Sequence, residues 1–438
     1  MKNIIKNVVC SDKTKKKLYS NRNFFLLFQG QFVSNLGNAV QSVAVVWFIL
    51  NIAGASKSGF YLALFFSCSL IPSIIFGPLT SVWVDRLDRK LIIVGVDLIK
   101  GVLILLLTLL TYFHFYPLFS LFFITFICAF FNTFFIPAVN ATIPNIVRSE
   151  DLLKANSIAG ICFHLPLIIG AAAAGILYYK IGIVGVFTVN GFSFILSGIS
   201  EMFINIPADN GTRYTTNKVK SKFTADLKSG FFYVKNRRPL VVALIFAGAL
   251  IFVSDPFFAI LLPKIIKFSL KLNAADFGYL GAAFSIGALA GMFVISFLPR
   301  RKKLFYFIFI AGLFGLALTS ILYGIPIIPG IQKQLTSTNI FIFFCIVSFF
   351  RMIFDSLVNV PISTIFQKRV DDSYRGRFFG VQNTMFISLK PLSFILIGIL
   401  SGFLQIYIII FILSFIFLLL CFFISVSSDI KELFNIQL

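Results

Sequence analysis

Charge is scarce in these 438 residues: only 12% are Asp, Glu, Lys or Arg, about half the share of an average soluble domain. Such a chain cannot cover a water-facing surface, which excludes a soluble globular enzyme. A 58% hydrophobic content equally excludes a disordered chain. Histidine and tryptophan are nearly missing, with 2 of each. Cysteine occurs only as isolated residues, Cys10, Cys68, Cys128, Cys162, Cys345 and Cys421, with no Cys-x-x-Cys. No zinc, iron–sulfur or haem pattern can be built from them, and they read as apolar fillers. No Gly-x-x-x-x-Gly-Lys-Ser/Thr loop is present, so ATP-driven pumping by this chain is not expected. No convergent His, Ser and carboxylate set suggests catalysis either; neither a cofactor nor a bound metal is expected. The first 23 residues lack the apolar core and small-residue cleavage site of a signal peptide and read as a retained basic tail.

Long apolar runs are what the chain has instead, and its mean hydropathy is +0.96. A helix needs about 20 mostly apolar residues to cross a bilayer. Twelve stretches qualify: 24–50, 59–83, 91–113, 117–143, 157–179, 182–206, 239–263, 277–298, 304–328, 339–366, 378–400 and 404–425. They are continuously apolar, whereas membrane β-strands alternate. The expectation is an all-α membrane protein of twelve transmembrane helices, embedded in a lipid bilayer.

The net charge of +22 would point to nucleic acid in a soluble protein. Here its meaning depends on where the basic residues fall between spans. Lys100, Arg351 and Lys390 lie within spans. One alternating set of connecting segments carries only Lys57, Lys180, Lys264, Lys267, Lys271 and Lys333, while the other set and the two tails carry all the rest. Positively charged loops stay in the cytoplasm, so both termini are expected there, in a multi-pass bacterial plasma membrane protein. No nucleic-acid partner is implied, and a monomer is expected.

The longest polar interval, 207–238, separates six spans from six. The domains expected are a basic cytoplasmic tail (1–23), an N-terminal six-helix half (24–206), a cytoplasmic linker (207–238), a C-terminal six-helix half (239–425) and a cytoplasmic tail (426–438). Residues 223–234 of the linker read either as an amphipathic helix on the membrane surface or as solvated chain. Weak repetition relates the halves. Pro137 and Pro144 in span 4 match Pro361 in span 10, and Gly77 and Gly291 each open a run to a basic turn. Such repeats fit a transporter working around a midplane site.

The stretch GPLTSVWVDRLDRK at 77–90 resembles the loop between helices 2 and 3 of the major facilitator superfamily, a Gly followed by Asp-Arg and a basic pair. The segments 28–50, 137–158, 189–207 and 376–382 look like its branch of drug exporters that includes macrolide efflux proteins and the enterobactin exporter. The resemblance implies the major facilitator fold and transport of small molecules. It also implies an inner-gate role for Gly77, Asp85, Arg86, Arg89 and Lys90, and a structural ion pair where Asp97 and Lys100 match the family's Asp-x-x-Arg. Ser81 and Asp88 stand where the family loop often has Gly, helix 4 has no Arg and helix 1 has no carboxylate.

Asp85 sits past a helix end, where a carboxylate can accept hydrogen bonds at the N-terminus of a neighbouring helix near Gly376–Gly380. A solvated loop explains the basic residues there but not the acid. Charges inside spans cost at least ~2.5–3.5 kcal/mol unless paired or hydrated. Arg351 and Asp355 are four residues apart on one helix face, and either neutralise each other or face a cavity. Lys390 has no such neighbour and marks a cavity. Asp255 has no opposite charge within four residues and is the first proton-coupling candidate, with Asp355 the second; the alternative for Asp255 is a helix-end residue reaching water. Glu201, near the end of span 6, is expected at the cytoplasmic surface. Gln31, Asn35, Asn38 and Ser42 form a polar stripe on span 1 that should line a cavity or meet a neighbouring helix.

These features predict a secondary active exporter of amphipathic small organic compounds, drug- or macrolide-like, working by rocker-type alternating access and coupled to protons by antiport. The alternatives are a siderophore or lysolipid transporter, and a non-transporting membrane scaffold or sensor.

Overall fold

The computed structural model describes residue 18 and residues 21–84, 87–205, 229, 231–297, 302–371 and 374–435. Among these residues all regular structure is helical. The run Arg22–Val84 leaves helical geometry at Gly54, where φ is 67° and ψ is 179°. That backbone region is open essentially to glycine alone, and it divides α1 (22–53) from α2 (55–84). The run Leu152–Met202 breaks in the same way at Gly182, with φ 64° and ψ −176°, giving α5 (152–181) and α6 (183–202). Between them lie α3 (Arg89–Tyr112) and α4 (Pro117–Ile146). α7 (Arg238–Pro256) runs on through two π-helical turns, Phe257–Leu261 and Ile265–Ser269. Then come α8 (Ala274–Phe297), α9 (Lys302–Gly324), α10 (Ser337–Arg369), α11 (Arg375–Phe403), α12 (Ile406–Val426) and the short α13 (Ser428–Phe434). Ten helical runs among the described residues are long and apolar enough to cross a membrane. The glycine breaks divide two of these runs, giving twelve helical segments among the described residues.

Local chemistry sets the helix starts. Asp88, standing where the resemblance would have glycine, is the N-cap of α3. Its Oδ1 accepts from the amides of Lys90 at 2.8 Å and Leu91 at 3.3 Å, satisfying donors that the first turn leaves free. Thr336 does the same for α10, accepting from the Asn339 amide at 3.2 Å.

Contacts divide the chain into two compact units. One comprises Met1–Val45 and Ile71–Lys220, the other Val46–Leu70 and Ser221–Leu438. In the first unit, Leu27 and Phe28 of α1, Ile93 of α3 and Ile143 of α4 belong to one buried cluster. The core of the second unit joins α7, α9, α10, α12 and α13 through residues such as Leu244, Leu313, Phe366, Phe417 and Leu433. The second unit also takes in residues 46–70, because small residues let α2 meet α11 closely. A Cβ at Gly398 would lie 2.7 Å from both the Ala63 Cβ and the Gly59 carbonyl oxygen. The Phe66 and Phe394 rings pack 5.7 Å apart beside this contact.

Two expectations change here, those for the outer lysines and for Glu201. Lys264 and Lys267 were expected on a connecting segment, but the helical run from Arg238 extends to Ser269 and includes both. Lys264 is 2% exposed, and its ammonium donates to the Ser401 carbonyl at 2.8 Å and hydroxyl at 3.0 Å. Lys267 donates to Asn51 Oδ1 and lies 5.6 Å from the Trp47 ring centroid. Glu201, expected at the surface, is fully buried. Of the linker segment 223–234, residues 223–228 lie outside the described residues, while 231–235 are helical. There Tyr233 stacks on Tyr374 at 4.5 Å, with the planes 15° apart.

Candidate functional site

A cavity of about 230 Å³ opens within the second unit, between α7, α9, α10, α11 and α12. Its apolar wall includes Phe246, Leu250, Phe309 and Phe386, and its polar groups include Asp255, Arg351, Asp355 and Gln382. α7 and α11 approach closely because Gly248 has no side chain: a Cβ there would be 2.9 Å from Leu389 and 3.1 Å from Met385. Two turns further along α7, Asp255 reaches α11 and pairs with Lys390, with Nζ 2.9 Å from Oδ2. The pair is about one-third exposed on each side, at 29% for Asp255 and 32% for Lys390. The two charges singled out in the sequence for want of a neighbour on their own helices are therefore each other's partner.

Arg351 and Asp355 share a face of α10 but are not paired among the described ion pairs. The Arg351 side chain turns to α9, donating to the Leu316 carbonyl at 3.1 Å, the Ser320 hydroxyl at 2.7 Å and the Thr319 hydroxyl at 3.4 Å. Its guanidinium lies 4.7 Å from the Phe258 ring centroid of α7, a favourable cation–π distance. Asp355 accepts instead from Asn359 one turn on, at 2.8 Å. Asp255, Lys390, Arg351 and Asp355 bring two charges of each sign to this region. An apolar cavity with balanced, directional polar groups suits a largely hydrophobic molecule bearing a few hydrogen-bonding or ionic groups.

The polar stripe on α1 has mixed surroundings in the first unit. Asn35 donates to the Cys162 carbonyl of α5 at 3.3 Å. Asn38 and Gln41 both accept from the Asn190 side chain of α6, at 3.3 and 2.6 Å. Asn38 and Ser42 are nevertheless exposed, and the Gln31 amide nitrogen is buried without a partner. The stripe therefore combines helix–helix bonding with open polar surface.

Of the gate residues, Asp85 and Arg86 lie outside the described residues. Gly77 is within α2, and Arg89 donates to the Ala141 carbonyl at 3.1 Å, tying the start of α3 to α4. Lys90 is half-buried in the first turn of α3. Asp97 and Lys100 are both buried but form no ion pair among the described residues. The Lys100 ammonium donates to Asn132 Oδ1 of α4 at 2.7 Å. Asp97 has the Ser197 hydroxyl of α6 beside it. Sequence reasoning missed Glu201 as a member of this buried group. The available signal was Ser197 and Glu201, four apart on one face of a span whose other residues are mostly apolar.

The family model of the Major Facilitator Superfamily matches residues 27–389. The chain belongs to this superfamily. Macrolide efflux protein A of Streptococcus pyogenes is 24% identical over 375 residues, covering 85% of this chain and 88% of that protein. The MFS-type transporter YkuC of Bacillus subtilis is 27% identical over 320 residues, covering 70% of this chain and 73% of its own. Among solved structures, the bacterial homologue of the iron transporter ferroportin superposes with a TM-score of 0.69 at 15% identity, covering 95% of this chain and 99% of that one. The nucleoside transporter NupG gives a TM-score of 0.66 at 13% identity, covering 95% of this chain and all of that one. At these identities the structures share the fold. This superfamily member is a multi-pass membrane transporter of small molecules, not an enzyme.

Proposed function

We propose that the chain is a secondary active exporter of amphipathic, drug- or macrolide-like organic compounds, working by rocker-type alternating access with protons exchanged for substrate. The observation that carries this reading is the cavity of about 230 Å³ in the second unit, with aromatic walls and the charged groups Asp255, Arg351 and Asp355. Its volume lies below the ~300–1,000 Å³ of sites that enclose a whole drug-sized ligand, so it takes one apolar portion of a larger molecule. The names of the macrolide efflux relatives agree with that substrate class. Within the first unit, the exposed Asn38 and Ser42 on α1, with Gln31 and Asn35 on the same stripe, offer polar groups of the kind an amphipathic substrate contacts. The basic loops support a plasma-membrane protein with cytoplasmic termini.

The test is accumulation of erythromycin by cells expressing the protein, with and without a protonophore. Expression should lower accumulation, and the protonophore should restore it. Lysing the cells removes nonspecific membrane uptake from the comparison. Equal accumulation with and without expression, across a panel extended to lipophilic cations and fluorinated drugs, would exclude drug export.

A further inference from the structure

The first unit contains a buried acidic site that the cavity of the second unit does not involve. α3 and α6 cross closely along small residues. A Cβ at Gly101 would come within 3.0 Å of the Gly191 carbonyl oxygen, and one at Gly198 within 2.9 Å of Leu98. This register sets Asp97 and Lys100 of α3 beside Ser197 and Glu201 of α6. Asp97 and Glu201 have no exposed surface, and Lys100 is 6% exposed. Among the described residues neither Glu201 carboxyl oxygen has a hydrogen-bond partner, and the Ser197 hydroxyl is the side chain that neighbours Asp97. The three ionisable groups lie within electrostatic reach of one another, with Cys128 of α4 also facing Lys100. The Lys100 ammonium donates to Asn132 and lies between the Phe135 and Phe194 rings, 5.2 Å from each centroid.

Two carboxylates against one ammonium leave this interior one positive charge short. Buried charges are tolerated when they are paired and hydrogen-bonded, and among the described residues Lys100 is the one cation acting on both acids, enough to offset only one of them. The missing component carries a single positive charge, because the neighbouring ammonium disfavours a divalent ion. We propose that Asp97 and Glu201, with the Ser197 hydroxyl beside them, bind one exchangeable monovalent cation, a proton or an alkali ion. This site rests on the antiport reading for its role, as the place where the coupling ion is carried. It differs from the acids marked in the sequence for that task, since Asp255 is paired with Lys390 and Asp355 with Asn359. Access is short: Glu201 is one residue from the end of α6, and Asp97 lies about 12 Å along α3 from Arg89 at ~1.5 Å per residue.

Infrared difference spectroscopy on the purified full-length protein in detergent tests the site directly. Spectra are taken on a pH step in sodium-free buffer, and on addition of Na⁺ or K⁺ at fixed pH. A carboxyl signal is expected in the wild type and should be lost in both Glu201→Gln and Asp97→Asn. Ser197→Ala keeps both acids and should shift the signal without abolishing it, which guards against misfolding of the first two variants. A response to the pH step alone identifies a proton, and a response to the alkali ion identifies that ion. Spectra that are the same in the wild type and all three variants overturn the proposal. In proteoliposomes, erythromycin movement driven by a gradient of the identified cation should fall by about tenfold in Glu201→Gln and recover in part with Glu201→Asp. Wild-type transport that ignores both gradients would sink the antiport reading while the infrared assignment of the site stood.

Discussion

The Asp255–Lys390 pair shows how much of a site single residues disclose. Both stood out in the sequence because an unpaired charge in a membrane is costly. Their partnership was not legible, since α7 and α11 are far apart in the chain and no pattern in either helix specifies which faces meet. Arg351 was visible for the same reason and its contacts were not: a carboxylate four residues away looked like the natural partner, yet carbonyl and hydroxyl acceptors on α9 take its protons. The pair's contribution can be bounded. Removing one partner should cost between the ~1 kcal/mol of an exposed pair and the ~3–5 kcal/mol of a fully buried one, because each side chain here is about one-third exposed. Thermal unfolding in detergent should show Lys390→Met less stable than the wild type and the double variant Asp255→Asn/Lys390→Met recovering most of that loss. A double variant as unstable as the two single losses added together would mean the residues act independently.

At the scale of elements, spans and their number were legible because hydropathy over about 20 residues overrides detail, and because backbone groups in lipid must be satisfied within a helix. Their ends were not. The connections at Gly54 and Gly182 are made by single glycines inside runs that otherwise read as continuous helix. The two π-helical turns of α7 carry Lys264 and Lys267 into a helix where charge suggested a loop. Gly54 offers a test. Its φ of 67° with ψ near 180° is a conformation that costs a residue with a side chain roughly 1–3 kcal/mol. No heavy atom lies within 4 Å of where a Cβ would be placed, so strain alone is at issue. Gly54→Ala should lower the unfolding temperature, whereas Gly77→Ala, at a helical glycine with equally open space, should raise it slightly or leave it unchanged, since alanine favours helix over glycine by about 1 kcal/mol. Equal responses at the two positions would show that the backbone at Gly54 is not held in that region.

For the whole molecule, charge placement provides the orientation. The net +22 collects on one alternating set of segments, and the mechanism assigned to the buried acids depends on which side of the membrane that set occupies. The Asp97–Glu201 site lies near the start of α3 and the end of α6, both adjoining the basic segments, so a coupling cation would enter or leave it from the cytoplasm. Labelling of single cysteines decides the orientation. In a chain whose native cysteines are replaced, Lys57→Cys and Lys333→Cys occupy exposed positions in the basic-poor set, and Lys154→Cys and Lys368→Cys exposed positions in the basic-rich set. A membrane-impermeant maleimide should label the first two in intact cells and the second two only after permeabilisation. The reverse pattern would put both termini outside, against the rule that basic segments remain in the cytoplasm. The buried acids would then adjoin the outer surface, and the short access path for a coupling cation would open to that side.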